Sequence, residues 1–125
     1  NNGRNPFDES TVINDLPNRP VIDILNSFIL AKDSDIMVYI FSGRTDNCRE
    51  DTEKWLTRYI SYDVLKMRKP GDNRSDDIIK KDLYEENIKD KYNVLFVVDD
   101  RMRVCRLWYT LGLFVFNVNQ GLIEF

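Results

Sequence analysis

The sequence predicts an α/β fold: a doubly wound parallel sheet, Rossmann-type, with helices on both faces. Three observations predict it. Apolar β-prone runs alternate with segments of helical periodicity along the whole chain. The apolar runs are continuous rather than alternating, as expected of strands buried on both faces. At 125 residues the chain has the length of one domain, 1–125, without repeats, linkers or low-complexity tracts.

The elements follow in order. Asn1 to Leu16 is rich in Asn, Asp, Gly and Pro and reads as a loop. Asn18 is a candidate N-cap with Pro20 in the first turn, and Val21, Ile24, Leu25, Phe28 and Ile29 carry a helix to about Ala31. Ile36 to Phe41 is a buried strand that Ser42-Gly43-Arg44 breaks. A polar loop leads into a helix from about Glu50 to Ile60, with Trp55, Leu56, Tyr59 and Ile60 on its core face. Val64 to Met67 is a second strand, and Lys69 to Arg74 a turn. Ser75 caps a helix that runs to about Lys89, with Asp76 and Asp77 where the helix dipole favours anions. Val94 to Val98 is a third strand, ended by Asp99-Asp100. A helix from Met102 to Leu111 stops at Gly112, and Phe114 to Val118 is the last strand. One thing is out of order: such a sheet usually opens with a strand, and this one opens with a loop feeding a helix. The sheet is expected to lack its first strand.

Composition excludes several chemistries. The chain has no histidine, so neither Ser-His-Asp nor Cys-His machinery can be built, nor the common imidazole-containing zinc sites. Carboxylates, lysine, arginine, hydroxyls, thiols or an oxygen-ligated metal must suffice. Cys48 and Cys105 have neither CxxC spacing nor disulfide-framework density, which points to a reducing, cytoplasmic setting with both thiols packed or idle. No apolar stretch approaches the roughly 20 residues of a membrane span. A net charge of −3 argues against an overall electrostatic grip on nucleic acid.

In open α/β sheets, ligands bind beyond the carboxyl ends of the strands. Ser42-Gly43-Arg44 offers a hydroxyl, an unobstructed backbone N–H and a guanidinium at one strand end, a set suited to phosphate or to an ordinary tight turn. Asp99-Asp100 ends another strand. Two carboxylates about 4 Å apart repel by about 4 kcal/mol at an effective dielectric of about 20. A divalent cation with oxygen ligands, Mg²⁺ by preference, would offset this; alternatively one aspartate caps the next helix and the other faces water. Adjacent strand residues point opposite ways, so one of the two is expected to touch metal. Asp76 and Lys80, four apart, share a helix face. Lys66, Arg68, Lys69 and Arg74 cluster around a lone Asp72, suggesting either a polyanion path or a solvated loop. Lys89-Asp90-Lys91 and Glu85-Glu86 read as solvated surface, and Trp55, Trp108 and Tyr109 as core or near-core residues.

Taken together, Asn2-Gly3-Arg4-Asn5-Pro6-Phe7-Asp8, Ser42-Gly43-Arg44, Arg74-Ser75-Asp76-Asp77-Ile78-Ile79-Lys80 and Val98-Asp99-Asp100-Arg101 stand in an order and spacing that resembles a known family. It is the phosphatase domain of bacteriophage-type polynucleotide kinase/3′-phosphatases, within the haloacid dehalogenase superfamily. The resemblance covers essentially the whole chain. It implies Mg²⁺-dependent removal of phosphate from 3′ ends of DNA or RNA through a phosphoaspartate. It further implies that Ser42, Gly43 and Arg44 bind phosphate and that Lys80 neutralises phosphate and nucleophile, with Asp76 beside it. Asp99 and Asp100 would supply and support the metal site, Asp100 as the direct ligand, and Arg4 would reach in from the opening loop. Arg68, Lys69 and Arg74 would line a nucleic-acid path. A covalently linked 5′-kinase domain upstream fits the family, as does action in the host cytoplasm for a phage-encoded protein. Other readings remain: a nucleotidase or small-phosphoester phosphatase of the same superfamily, or a non-catalytic module binding nucleic-acid ends or a partner. Only one helix lies between Ser42 and Val64, so little room exists for a cap domain, and an open site suits a macromolecular end.

The family's Asp-x-Asp-Gly-Thr segment, which carries nucleophile and general acid at the end of the first strand, is absent from the 125 residues. Loss of a central strand would leave backbone groups unsatisfied in the core. Residues 1–125 by themselves are therefore expected to be poorly folded and inactive. Robust Mg²⁺-dependent 3′-phosphatase turnover by a purified 1–125 fragment would overturn that expectation.

Overall fold

In a computed structural model, residues 18–125 are described. The opening loop, Arg4 included, lies outside the described residues. The chain divides into two compact units with the boundary between Asp72 and Asn73. Each holds one parallel strand pair, so the fold is α/β with parallel strands.

The first unit opens with α1 (Arg19–Ala31), capped by the Asn18 side chain, which accepts the Val21 N–H at 3.5 Å. Its buried residue is Ile22, whereas Ile24, one of the apolar residues at helical spacing, is exposed. Strand β1 (Tyr39–Thr45) pairs in parallel with β2 (Val64–Arg68). Asp63 secures the start of this pair: its carboxylate accepts the Val38 N–H at 2.7 Å, and its own N–H donates to the Val38 carbonyl at 2.9 Å. A short 3₁₀ turn (Asp46–Cys48) and α2 (Arg49–Tyr59) connect the strands. Cys48, Leu65 and Met67 form the core, with Ile40, Leu56 and Tyr62 packed against it.

Ser42-Gly43-Arg44 does not break β1, contrary to expectation. The ladder runs Ser42 to Met67 and resumes at Thr45 to Arg68, leaving Gly43 and Arg44 in a bulge. The neighbouring strand explains why. Arg68, only 2% exposed, donates Nε–H to the Gly43 carbonyl at 2.7 Å and Nη1–H to the Asp72 carbonyl at 2.9 Å. A rigid guanidinium fork thus supplies the bulged backbone with the donor its own ladder lacks.

The second unit begins with α3 (Asp76–Asn87). Ser75 has cap-type backbone angles, yet its hydroxyl meets the Asp77 carboxylate at 2.6 Å rather than a backbone N–H. Strand β3 (Val97–Asp99) is shorter than the expected Val94–Val98 run and includes Asp99. Its length is set by its partner β4 (Val115–Asn117), against which only three residues pair. Between them, α4 (Met102–Thr110) packs against β3, β4 and α3 and buries Val104, Cys105 and Trp108. Spacing of i, i+1 and i+4 puts these three on one helix face. Tyr109, expected near the core, is 54% exposed. Gly112, at φ +79°, takes the left-handed conformation that ends α4. The described strands form two parallel pairs, β1 with β2 and β3 with β4, within the expected α/β class. No helix among the described residues is long and apolar enough to cross a membrane.

Replacing Arg68 with Met should remove both forked hydrogen bonds while keeping much of the buried stem. With charged hydrogen bonds worth roughly 1.5–3 kcal/mol each, we expect a destabilisation of about 3 kcal/mol. It would be read as a lower urea midpoint at unchanged slope; an unaltered midpoint would refute the role of the fork.

Candidate functional site

In the first unit the candidate residues sit on the β1 bulge. The Ser42 hydroxyl accepts the Arg44 N–H at 3.2 Å, so the loop is closed on itself before any ligand arrives. Ser42, Gly43 and Arg44 are all half-buried. Arg68 does not join a surface basic path: it is buried, and its guanidinium is engaged with main-chain carbonyls. Lys69 is exposed in the turn that follows.

In the second unit the helix start, the strand end and the turn into α4 bring four charges together. Asp76, in the first turn of α3, is 7% exposed. Its Oδ2 lies 3.4 Å from Lys80 Nζ and 3.5 Å from Arg101 Nη1. Lys80 Nζ is also 3.8 Å from Asp99 Oδ2. Two carboxylates thus face an ammonium and a guanidinium, a balanced quartet at side-chain exposures of 8–16%. Buried charges persist only when offset in this way. All three distances exceed the usual 2.7–3.2 Å hydrogen-bond range, and Lys80 makes no hydrogen bond among the described residues. Its ammonium protons are held near negative charge without being committed.

Asp99 is the last residue of β3 and half-buried, whereas Asp100, just beyond the strand, is exposed. Asp99 turns inward: Oδ1 accepts the Arg101 N–H at 3.1 Å and Oδ2 accepts Trp108 Nε1–H at 3.2 Å. Its carbonyl takes the Val118 N–H at 3.0 Å and the Cys105 thiol at 3.5 Å. Asp100 is exposed, and its carboxylate makes no hydrogen bond or ion pair among the described residues. Its carbonyl is tied down by Asn119 Nδ2 at 2.7 Å, and Asn119 also binds both the N–H and the carbonyl of Ile123. Arg74 is exposed and paired with Asp82 at 2.8 Å, a contact that leaves it at the surface. Arg101, Trp108 and Asn119 were not singled out as site residues from sequence. Arg101 stood inside the quoted Asp-Asp-Arg motif. Trp108 was legible as core, but nothing in its spacing reveals where its N–H points.

For a divalent metal, the donor chemistry is oxygen only. No group of three histidine, cysteine or acidic residues that could hold a metal occurs among the described residues. Mg²⁺ is commonly bound by one or two carboxylates with waters and substrate phosphate completing the shell. Asp100, with its carboxylate open, fits that requirement, whereas both oxygens of Asp99 are already engaged. A shallow cleft elsewhere, lined by Asn26, Arg58, Tyr59 and Tyr62, contains none of the candidate residues.

Residues 1–123 match the family model of the polynucleotide kinase PNKP phosphatase domain. The chain is a member of that family, an α/β phosphatase domain of the haloacid dehalogenase type associated with nucleic-acid repair enzymes. Among its relatives is a protein of Autographa californica nuclear polyhedrosis virus named "Putative bifunctional polynucleotide kinase/RNA ligase", 36% identical over 99 residues, which cover 77% of this chain and 14% of that protein. Two solved structures of a Pnkp1/Rnl/Hen1 complex, one described as an RNA repair complex, each contain a chain 45% identical, at a TM-score of 0.84. Each match covers 96% of this chain, and 38% and 41% of those chains. The chain therefore spans less than half the length of these relatives.

Both cysteines are free and buried. Burial first, and then the nearby Asp99 and Asp100 charges, push the Cys105 thiol up to about 11. A thiol whose ionisation is suppressed by folding contributes stability that is complete below its ordinary value near 9 and is lost as pH climbs toward 11. Urea denaturation at pH 8 and pH 10.5 should show a stability loss that Cys105→Ala reduces. An identical loss in both proteins would disprove it.

Proposed function

We propose that this domain removes phosphate from the 3′ ends of DNA or RNA, in an Mg²⁺-dependent reaction, as part of a nucleic-acid end-repair enzyme. The reading rests on one observation above all: the uncommitted Lys80 ammonium between Asp76 and Asp99, in a chain whose family is a polynucleotide phosphatase domain. Phosphoryl transfer needs positioning and charge neutralisation more than an imidazole, which agrees with a chain that has no histidine.

In this reading Lys80 donates to a phosphate oxygen and offsets the charge that builds on the transferring group. Asp76 holds Lys80, and Arg101 holds Asp76. Ser42 Oγ–H, the Gly43 N–H and Arg44 bind phosphate oxygens, and Arg4 assists from the opening loop. Asp100 would hold Mg²⁺, which when bound supplies Lewis-acid stabilisation of phosphate oxygens. The reaction proceeds through a phosphoaspartate, and the nucleophilic carboxylate must come from an Asp-x-Asp-Gly-Thr segment that the 125 residues do not contain. Lys69 and Arg74, both exposed, are the candidates for contact with the nucleic-acid strand, and Arg68 is reassigned to the fold. RNA ends, and a linked 5′-kinase domain, are the substrate and partner that the relatives favour.

In the intact natural polypeptide, Lys80→Ala, Ser42→Ala and Asp100→Ala should each lower turnover of a 3′-phosphorylated oligonucleotide by roughly 10²-fold or more. Chelation by EDTA should abolish it. Equal efficiency on the oligonucleotide and a free 3′-mononucleotide would favour the small-phosphoester alternative. Full activity of Lys80→Ala would refute the assignment.

A further inference from the structure

A buried indole has one N–H and no acceptor, and leaving that donor unmet is costly. Trp108 is 3% exposed, on the face of α4 that also buries Val104 and Cys105. Its ring packs edge-on against Tyr84, centroids 6.0 Å apart and planes at 64°. Packing alone accounts for the ring. It does not account for the donor's destination, which is the Asp99 carboxylate at the exit of β3.

Two features make that destination informative. The donors on Asp99 that reach hydrogen-bond distance, the indole N–H and the Arg101 main-chain N–H, are neutral and rigidly mounted. They fix the plane of the carboxylate whatever the charges nearby do. The oxygen occupied by the indole is also the one that faces Lys80, at 3.8 Å. With the carboxylate held in this orientation by the indole, Oδ2 stays 3.8 Å from Nζ, and Asp99 is a counter-charge to the ammonium without a close hydrogen bond.

We propose that Trp108 is a positioning residue of the phosphatase site. Its N–H holds Asp99 turned inward and occupied, so that Lys80 keeps its protons for phosphate and Asp100 alone faces outward. Without that donor the carboxylate is free to turn toward Lys80, close the 3.8 Å gap and withdraw the ammonium from the reaction. The inference rests on the role given to Lys80 above.

The test separates the N–H from the ring. In the intact natural polypeptide carrying Trp55→Phe, position 108 is filled either with benzothienylalanine, which keeps the shape and lacks the N–H, or with 7-azatryptophan, which keeps both. The first should lower kcat roughly 10- to 100-fold, and the second should retain it. A purely structural tryptophan would give equal turnover for the two analogues, and that result overturns the proposal. A second measurement needs no altered Trp108: the indole ¹H–¹⁵N resonance of Trp108 should exchange slowly with solvent and shift in Asp99→Ala. An unshifted, fast-exchanging resonance also overturns it, even if the analogue proteins do not fold. Lys80→Ala distinguishes the two levels of the argument. Full activity there sinks the site assignment itself, whereas loss there with equal analogues sinks only the role of Trp108.

Discussion

The second unit is organised by the requirement that buried charges be offset. Asp76, Lys80, Asp99 and Arg101 come from the start of α3, the end of β3 and the turn into α4, and none can move without exposing another to an uncompensated field. That requirement explains local choices that propensity does not. Acidic residues open α3 where the helix dipole favours them, but Asp76 is buried to face two cations rather than to serve as a cap. Ser75, in the cap position, gives its hydroxyl to Asp77 instead. The short β3 ends on Asp99 because its carbonyl continues the ladder to Val118 while its side chain turns to Trp108.

Much of this was legible from residue order. Helical periodicity located all four helices to within one or two residues, since amphipathic spacing and Gly112 are strong local signals. The different exposure of Asp99 and Asp100 agrees with the opposite orientations expected at a strand end, although β3 stops at Asp99. The strands were less legible. Apolar runs mark where a strand can form, but ladder partners decide where it does, so Ile36–Phe41 shifted to Tyr39–Thr45 and Val94–Val98 shrank to three residues. Ser42-Gly43-Arg44 looked like a strand break because nothing local shows that Arg68, 24 residues after Arg44, caps the bulge from the neighbouring strand. Arg68 itself, read among basic neighbours, suggested a polyanion path or a solvated loop, and it is buried instead. Only the long-range pairing of β1 with β2 buries it.

The site follows the same division. Lys80 and Asp76 were readable as a pair by their spacing, and Asp99 and Asp100 by their place at a strand end. Arg101, Trp108 and Asn119 act through directional hydrogen bonds or charge contacts across the fold, and such directions are not encoded in periodicity. Trp108 is the clearest case: helix spacing predicts that it is buried, while the partner of its N–H depends on where β3 ends relative to α4. Family membership adds what geometry cannot, the class of bond to be broken. The quartet shows that a chain without histidine still gathers two carboxylates, an ammonium and a guanidinium at one strand end.

The bulge on β1 has a consequence for substitution. Gly43 and Arg44 lie outside the ladder, and pairing resumes in phase at Thr45. The Gly43 carbonyl in that bulge takes its hydrogen bond from Arg68 on the neighbouring strand. Side-chain changes at Gly43 or Arg44 are thereby uncoupled from the ladder beneath, provided that position 68 continues to bridge the bulge from behind.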